Sequence, residues 1–189
     1  EENTLVLCVE DFLNKTKLKK PVVTNLSTTA ALDEIAKKYN CQVIRSAVGE
    51  INVVNEMKKH NAHIGGEGNG GVILTESHLG RDAFVGAVII LNLLASNKLT
   101  MHEANQKIPK YYMLKEKVEI NPQINNQVIS NRIKQAFNEC KFDETDGIKV
   151  LDKHSWLHVR QSNTEPIIRV YIESNQEEKL SEIFDKVKT

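Results

Sequence analysis

Apolar residues at positions 5, 6, 8, 9, 12 and 13 repeat with the spacing of one helix face, so residues 4–13 are expected to be helical. A basic connector over 15–20 leads into Pro21-Val22-Val23-Thr24, the pattern of a short buried strand. Leu32, Ile35, Ala36 and Tyr39 then mark a helix over 30–39, with Ser27 or Thr28 as its expected N-cap. The alternation continues with a strand over 41–46, the turn Val48-Gly49-Glu50 and a helix over 51–61. Strands over 62–65 and 72–75 follow, and then a long apolar helix, opened by Gly80-Arg81-Asp82 and running to residue 95. Strands alternating with helices predict an α/β layer on a largely parallel sheet. The polar stretch 96–114, which contains Pro109, reads as a short helix and a linker. Beyond it the pattern changes to an alternating run over 115–120, a helix over 124–138, strands over 147–151, 156–159 and 167–172, and a closing helix over 177–187. Clustered strands with a helix at each end predict a small α+β domain. Two domains, 1–110 and 111–189, are expected.

Two loops carry candidate chemistry. The first is Arg160-Gln161-Ser162-Asn163-Thr164-Glu165-Pro166, between two expected strands. A guanidinium is a planar fork of donors that stays charged at ordinary pH and suits phosphate. Ser162, Asn163 and Thr164 add short donors, and the N–H groups of a tight turn can complete an anion-binding nest. The same residues also fit an ordinary polar turn, with Arg160 paired to Glu165 or Glu173; Arg169 reads as structural. The second loop is Gly65-Gly66-Glu67-Gly68-Asn69-Gly70-Gly71, with five glycines in seven residues. Each glycine costs roughly 0.5–1 kcal/mol of backbone entropy relative to alanine, so such a run marks a sharp turn or a close approach to a ligand. Glu67 and Asn69 offer the acceptors and donor that sugar hydroxyls need; a hairpin-tip glutamate bonding its own backbone is the plain alternative. Residues 66–71 also fit G-x-G-x-x-G, but that fingerprint requires a helix to open at the glycines. Here Val72-Ile73-Leu74-Thr75 reads as a strand, which argues against a dinucleotide.

Lys+Arg and Asp+Glu are both 25, and this balance argues against nucleic acid or an anionic membrane as the main partner. The apolar run over 83–95 is interrupted by Gly86 and Asn92 and is too short to span a bilayer. Cys8, Cys41 and Cys140 are odd in number and widely spaced, as expected of reduced thiols in a cytoplasmic protein. The six histidines are dispersed, and none is a candidate for catalysis or metal binding. The chain opens at Glu1, inside a helical pattern, and reads as a fragment.

With both loops in their order, the chain resembles the carboxyl-terminal half of the α-D-phosphohexomutases, the phosphoglucomutase/phosphomannomutase family, and within it most the phosphoglucosamine mutases. Gly66-Glu67-Gly68-Asn69-Gly70-Gly71 is similar to the family's sugar-binding loop, and the 160–166 segment to its phosphate-binding loop. Val48-Gly49-Glu50 stands where the family has a further active-site turn, and Gly80-Arg81-Asp82-Ala83 follows in its expected place. Many members carry serine and histidine where this chain has Asn69 and Gly71, which bears on the choice of sugar. The resemblance implies a three-layer α/β/α domain with a mixed, largely parallel sheet, followed by a small α+β domain. It implies phosphate binding by Arg160, Ser162, Asn163 and Thr164, sugar binding by Glu67, Gly68 and Asn69, and a lining role for Arg45, Gly49 and Glu50. The implied function is a share in interconverting hexose 6-phosphate and hexose 1-phosphate (glucosamine, glucose or mannose phosphates) through a phosphoserine enzyme and a bisphosphate intermediate. The nucleophilic serine loop and the ligands of Mg2+ have no counterpart in this sequence. They are expected on amino-terminal domains outside it, so that this chain alone is inactive. A standalone sugar-phosphate binding module is the alternative.

Overall fold

The helical pattern at the amino terminus becomes α1 (Glu2–Thr16), which buries Leu5, Val6, Cys8, Val9 and Leu13. The structure, a computed structural model, describes residues 1–119, 126–162 and 165–188 and divides into two units, Glu1–Lys110 and Tyr111–Thr189.

In the first unit α1 is followed by β1 (Val22–Asn25), α2 (Ala31–Lys38), β2 (Val43–Ser46), α3 (Glu50–His60), β3 (Ile64–Glu67), β4 (Gly71–Leu74), α4 (Ala83–Asn97) and α5 (Met101–Gln106). The sheet order is β2-β1-β3-β4. β1 pairs in parallel with β2 and β3, and β4 runs antiparallel to β3. α3 packs on β1, β2 and β3, where Val53, Val54 and Met57 meet Val23 and Ile73. α1 and α4 pack on each other and on β4, which completes three layers, helix–sheet–helix, around a mixed sheet. The expected N-cap is corrected: α2 starts after Ala30 without a side-chain cap, and Thr29 Oγ1 accepts from the Ala31 N–H at 3.2 Å. Thr28 is taken by another task, described below.

The glycine run is a tight β3–β4 hairpin. Glu67 pairs with Gly71, and the Gly70 N–H donates to the Glu67 carbonyl at 3.2 Å. At Gly66 (φ 154°) a Cβ would stand 2.0 Å from the Gly71 carbonyl oxygen and 2.9 Å from Leu5 Cδ1. Gly66→Ala is therefore expected to cost the first unit about 1–3 kcal/mol by overpacking. Faster hydrogen exchange of the β3 amides, with the second unit unchanged, is the readout; unchanged exchange would contradict the close approach.

The second unit runs β5 (Tyr112–Glu119), α6 (Asn126–Ala136), β6 (Lys141–Asp143), β7 (Ile148–Leu151), β8 (Ser155–Gln161), β9 (Ile167–Ser174) and α7 (Glu178–Lys188). Its antiparallel sheet has the order β5-β9-β8-β7-β6. Period-two alternation sorts the strands cleanly. Ile148, Val150, Leu157, Val159, Ile168, Val170 and Ile172 form a core with Ile133 of α6, against which Leu180, Ile183, Phe184 and Val187 of α7 pack. The opposite face buries polar groups instead. Lys149 Nζ lies 4.0 Å from the centroid of the Trp156 ring, the Trp156 indole N–H donates to Glu173 Oε1 at 2.7 Å, and His158 Nε2 lies 2.7 Å from the Asp146 carbonyl. β5 begins inside the stretch expected as linker. β6, three residues long and charged at both ends, was not expected at all: it carries no alternation to read.

Candidate functional site

In the first unit three of the loops singled out above leave the carboxyl ends of the parallel strands. In a sheet ordered β2-β1-β3-β4 the chain goes to one side of β1 and then to the other, and sheets of this kind bind ligands in the crevice at such a switch point, here β1/β3. The loop after β1 (25–29) and the hairpin after β3 (68–70) stand at that point, with Gly49 and Glu50 after β2.

Glu67, the last residue of β3, joins these loops. Its side chain is 5% exposed. Oε1 accepts from Asn25 Nδ2 at 2.9 Å and from the Gly49 N–H at 3.1 Å, and Oε2 stands 3.3 Å from Arg81 Nη1. Arg81 in turn donates through Nε to Glu50 Oε2 at 2.7 Å and through its backbone N–H to Glu50 Oε1 at 3.1 Å. The Arg81 side-chain N–H holds the Glu50 carboxyl below the usual carboxylate range, and the same hydrogen bond raises the Arg81 guanidinium further. A carboxylate has about four lone-pair sites; the two hydrogen bonds occupy Oε1, and among the described residues Oε2 meets only the Arg81 ion pair, which leaves an acceptor position on Oε2. Asn69, exposed at the hairpin tip, accepts from the Gly71 N–H through Oδ1 at 3.3 Å, leaving its amide NH₂ free of that turn.

A second set of bonds locks the hairpin to the β1 loop. The Gly68 N–H donates to Thr28 Oγ1 at 3.0 Å, the Thr24 and Thr28 hydroxyls share a 2.6 Å hydrogen bond, and Thr24 Oγ1 donates to the Gly66 carbonyl at 2.9 Å. Arg45, expected as a lining residue, has its guanidinium turned onto this loop. Nη1 donates to the Asn25 and Thr28 carbonyls at 3.2 and 2.8 Å, and Nη2 donates to the Thr29 carbonyl at 3.3 Å and to the Asp33 carboxylate. Its present work is to hold loop 25–29. Sequence reasoning missed Asn25 and the part Thr28 plays here, and gave Arg81 no role although it named the Gly80-Arg81-Asp82-Ala83 segment. The signal for the first two was the run Asn25-Leu26-Ser27-Thr28-Thr29 directly after a buried strand.

In the second unit, Arg160 lies on β8 and not in the loop that follows. Its partner in register on β9 is Arg169. Arg169 is in register with Lys117 of β5, so three cations stand in one row across three strands. Like charges directly opposite one another destabilise a sheet unless an anion intervenes. Glu165 supplies one, 2.8 Å from Arg169 Nη2 and 3.7 Å from Lys117 Nζ. Arg160 makes no ion pair among the described residues, and the Nε atoms of Arg160 and Arg169 are buried without a hydrogen-bond partner. The turn is closed by the Ser162 N–H, which donates to the Ile167 carbonyl at 2.9 Å, and the Ile167 N–H, which donates to the Glu165 carbonyl at 2.8 Å. Ser162 is buried beside it. Asn163 and Thr164 lie outside the described residues. Among the described residues no three His, Cys, Asp or Glu side chains gather as a metal site, and no helix is long and apolar enough to cross a membrane.

Comparison with known proteins gives these two sites a common setting. Residues 1–112 match the family model described as phosphoglucomutase/phosphomannomutase, alpha/beta/alpha domain III, and residues 113–189 match that of the C-terminal domain. A phosphoglucomutase/phosphomannomutase of Thermococcus kodakarensis is 35% identical over 166 residues, 87% of this chain and 36% of the relative. A phosphoglucosamine/phosphogalactosamine mutase of Sulfurisphaera tokodaii is 32% identical over 174 residues, 91% of this chain and 38% of the relative. The chain thus spans less than half the length of the curated relatives it matches. Among solved structures, a phosphoglucomutase/phosphomannomutase family protein of Burkholderia thailandensis superposes with a TM-score of 0.83 over 99% of this chain and 40% of its own, at 18% identity. An N-acetylphosphoglucosamine mutase of Aspergillus fumigatus, solved with glucose 1,6-bisphosphate, gives 0.74 over 98% and 42% at 14% identity. At these identities the structural likeness shows the fold.

Proposed function

Because this chain belongs to the phosphoglucomutase/phosphomannomutase family, matching its third and carboxyl-terminal domains, we propose that it supplies the two grips on a hexose phosphate used by a phosphohexomutase. The observation that carries the reading is the Arg160–Arg169 pair: two guanidiniums in register on adjacent strands, with only Arg169 paired to a carboxylate among the described residues. A phosphate set against that pair relieves the repulsion and supplies acceptors for both buried Nε groups. Ser162, Asn163 and Thr164, in the turn that follows, complete the phosphate grip. To this set we add Arg169, which reads as structural in the sequence, because it stands in register with Arg160.

The sugar grip is the hairpin. Glu67 offers its free acceptor position and Asn69 its amide to neighbouring hydroxyls, and Gly68, where a Cβ would stand 3.1 Å from Thr28 Cα, lets the hairpin close on the β1 loop. Gly49 and Glu50 line the same crevice. Arg45 acts behind it by fixing the β1 loop. Phosphoryl transfer depends mostly on positioning and charge stabilisation, so holding the non-reacting phosphate and two hydroxyls contributes to rate as well as to binding. The proposed reaction interconverts hexose 6-phosphate and hexose 1-phosphate, of glucosamine, glucose or mannose. The phosphorylated serine and the Mg2+ ligands stand on parts of a family protein outside this chain. Three cysteines with no disulfide among them suit the proposed cytoplasmic setting.

Calorimetric titration of the chain with glucosamine 6-phosphate, inorganic phosphate and glucosamine tests the reading. The sugar phosphate is expected to bind more tightly than phosphate, and Arg160→Ala to weaken both by at least about tenfold, or about 1.4 kcal/mol. Affinity unchanged by Arg160→Ala would overturn it.

A further inference from the structure

Among the described residues, Glu165 is the only carboxylate paired with the cation row Lys117–Arg169–Arg160. It stands over the outer two members: Oε2 is 2.8 Å from Arg169 Nη2 and Oε1 is 3.7 Å from Lys117 Nζ. The pairing does not use up the row. The Nε atoms of Arg169 and Arg160 are both buried without a hydrogen-bond partner. A buried donor left unmade costs its desolvation, so a row serving structure alone would have its donors satisfied.

The Glu165 pair is also easily undone. The Glu165 side chain is 44% exposed and that of Arg169 26%, and ion pairs at such exposure are weak. The backbone of Glu165 is held independently, by the Ile167 N–H on its carbonyl at 2.8 Å. Its carboxylate can therefore swing into solvent by rotation about its own bonds while the turn stays closed. Charge fits the exchange. Three cations and one carboxylate leave the row with two positive charges, close to the −1.5 to −2 that a phosphate monoester carries at neutral pH.

We propose that Glu165 is a specificity-determining residue of the phosphate grip, a role that rests on the grip proposed above. In the free chain its carboxylate holds the place of an anion on Arg169; it yields Arg169 to a doubly charged phosphate and keeps singly charged anions out. A carboxylate from solution has the same charge as Glu165 and must displace one that is tethered beside the guanidinium, where its effective concentration is high. A phosphate brings about twice the charge and enough acceptor oxygens for both guanidiniums, and it wins the exchange.

Calorimetric titration of the full chain and of Glu165→Gln with inorganic phosphate, each with and without acetate, tests this. Glutamine keeps the size of the side chain and leaves the backbone bond of the turn in place. The variant is expected to bind phosphate about two- to fivefold more tightly, the worth of an exposed ion pair that no longer competes. Acetate is expected to compete with phosphate in the variant and to leave the wild type unaffected. Weaker phosphate binding in Glu165→Gln would make Glu165 a part of the grip, and equal binding would make it a surface pair. Acetate acting alike on both proteins would remove the selection. Each of these results overturns the inference. Arg160→Ala separates the two readings. If it weakens phosphate binding while Glu165→Gln fails to tighten it, the grip stands and the role of Glu165 falls; if it leaves binding unchanged, the grip falls and this role with it.

Discussion

Glu67→Ala is expected to destabilise the first unit by about 3 kcal/mol. The substitution leaves Asn25 Nδ2 and the Gly49 N–H without their acceptor in a buried site and removes a partner of Arg81. Glu67→Gln keeps the shape and one acceptor oxygen, so about half that loss is expected. Arg81→Ala should cost less than about 1 kcal/mol, because Arg81 is largely exposed and Glu67 keeps its other two donors. Hydrogen exchange of the β1 and β3 amides reads the series, and the order Ala > Gln > Arg81→Ala is the content of the prediction. Equal losses for Glu67→Gln and Glu67→Ala would mean that the charge, not the acceptor geometry, joins the loops.

The second large effect is acid sensitivity of the second unit. Burial pushes the His158 imidazole down to about 4, although its bond to the Asp146 carbonyl opposes the shift; Lys149 and Arg160 nearby push the same way as burial. The unfolded chain, with an ordinary histidine near 6.5, then binds more protons than the folded one between about pH 6.5 and 4. Stability is therefore full above pH 6.5 and is lost as pH falls through that window, by up to about 3 kcal/mol from this group. Trp156, the chain's one tryptophan, sits on the same strand and reports the unfolding of this unit alone. Its denaturation midpoint is expected to fall between pH 7 and 4.5 in the wild type. In His158→Gln the fall should be shallower by most of that amount, and parallel curves would contradict the assignment.

Much of the fold was legible because apolar spacing alone decides it. Leu5 to Leu13 announce α1, and the branched runs at 22–23 and 72–73 announce strands. The strand after the glycine run argued against a dinucleotide loop, and the antiparallel pairing of β3 with β4 makes the run a hairpin. Register was not legible. That Arg160 belongs to β8 and faces Arg169 follows from cross-strand pairing, and the polar Arg160-Gln161 end of that strand offers no alternation to announce it. The partners of Glu67 were hidden for the same reason. Asn25 is 42 residues away in sequence and Arg81 on the far side of a further strand; only the sheet order brings them together. Arg45 illustrates the converse: the resemblance implied a lining role, and the fold sets its guanidinium on β2 against the carbonyls of the loop after β1.

The central proposal is that the first unit carries a sugar grip and the second a phosphate grip, and an amide chemical-shift titration tests it most directly. Both inorganic phosphate and glucosamine 6-phosphate are expected to move the resonances of Arg160, Ser162 and Arg169. Only the sugar phosphate should also move those of residues 65–71. Weak binding is expected, in the millimolar range, because the ordering costs are met by only part of the contacts. If both segments stay silent at millimolar ligand while resonances elsewhere shift, these loops are not the grips and the account is wrong.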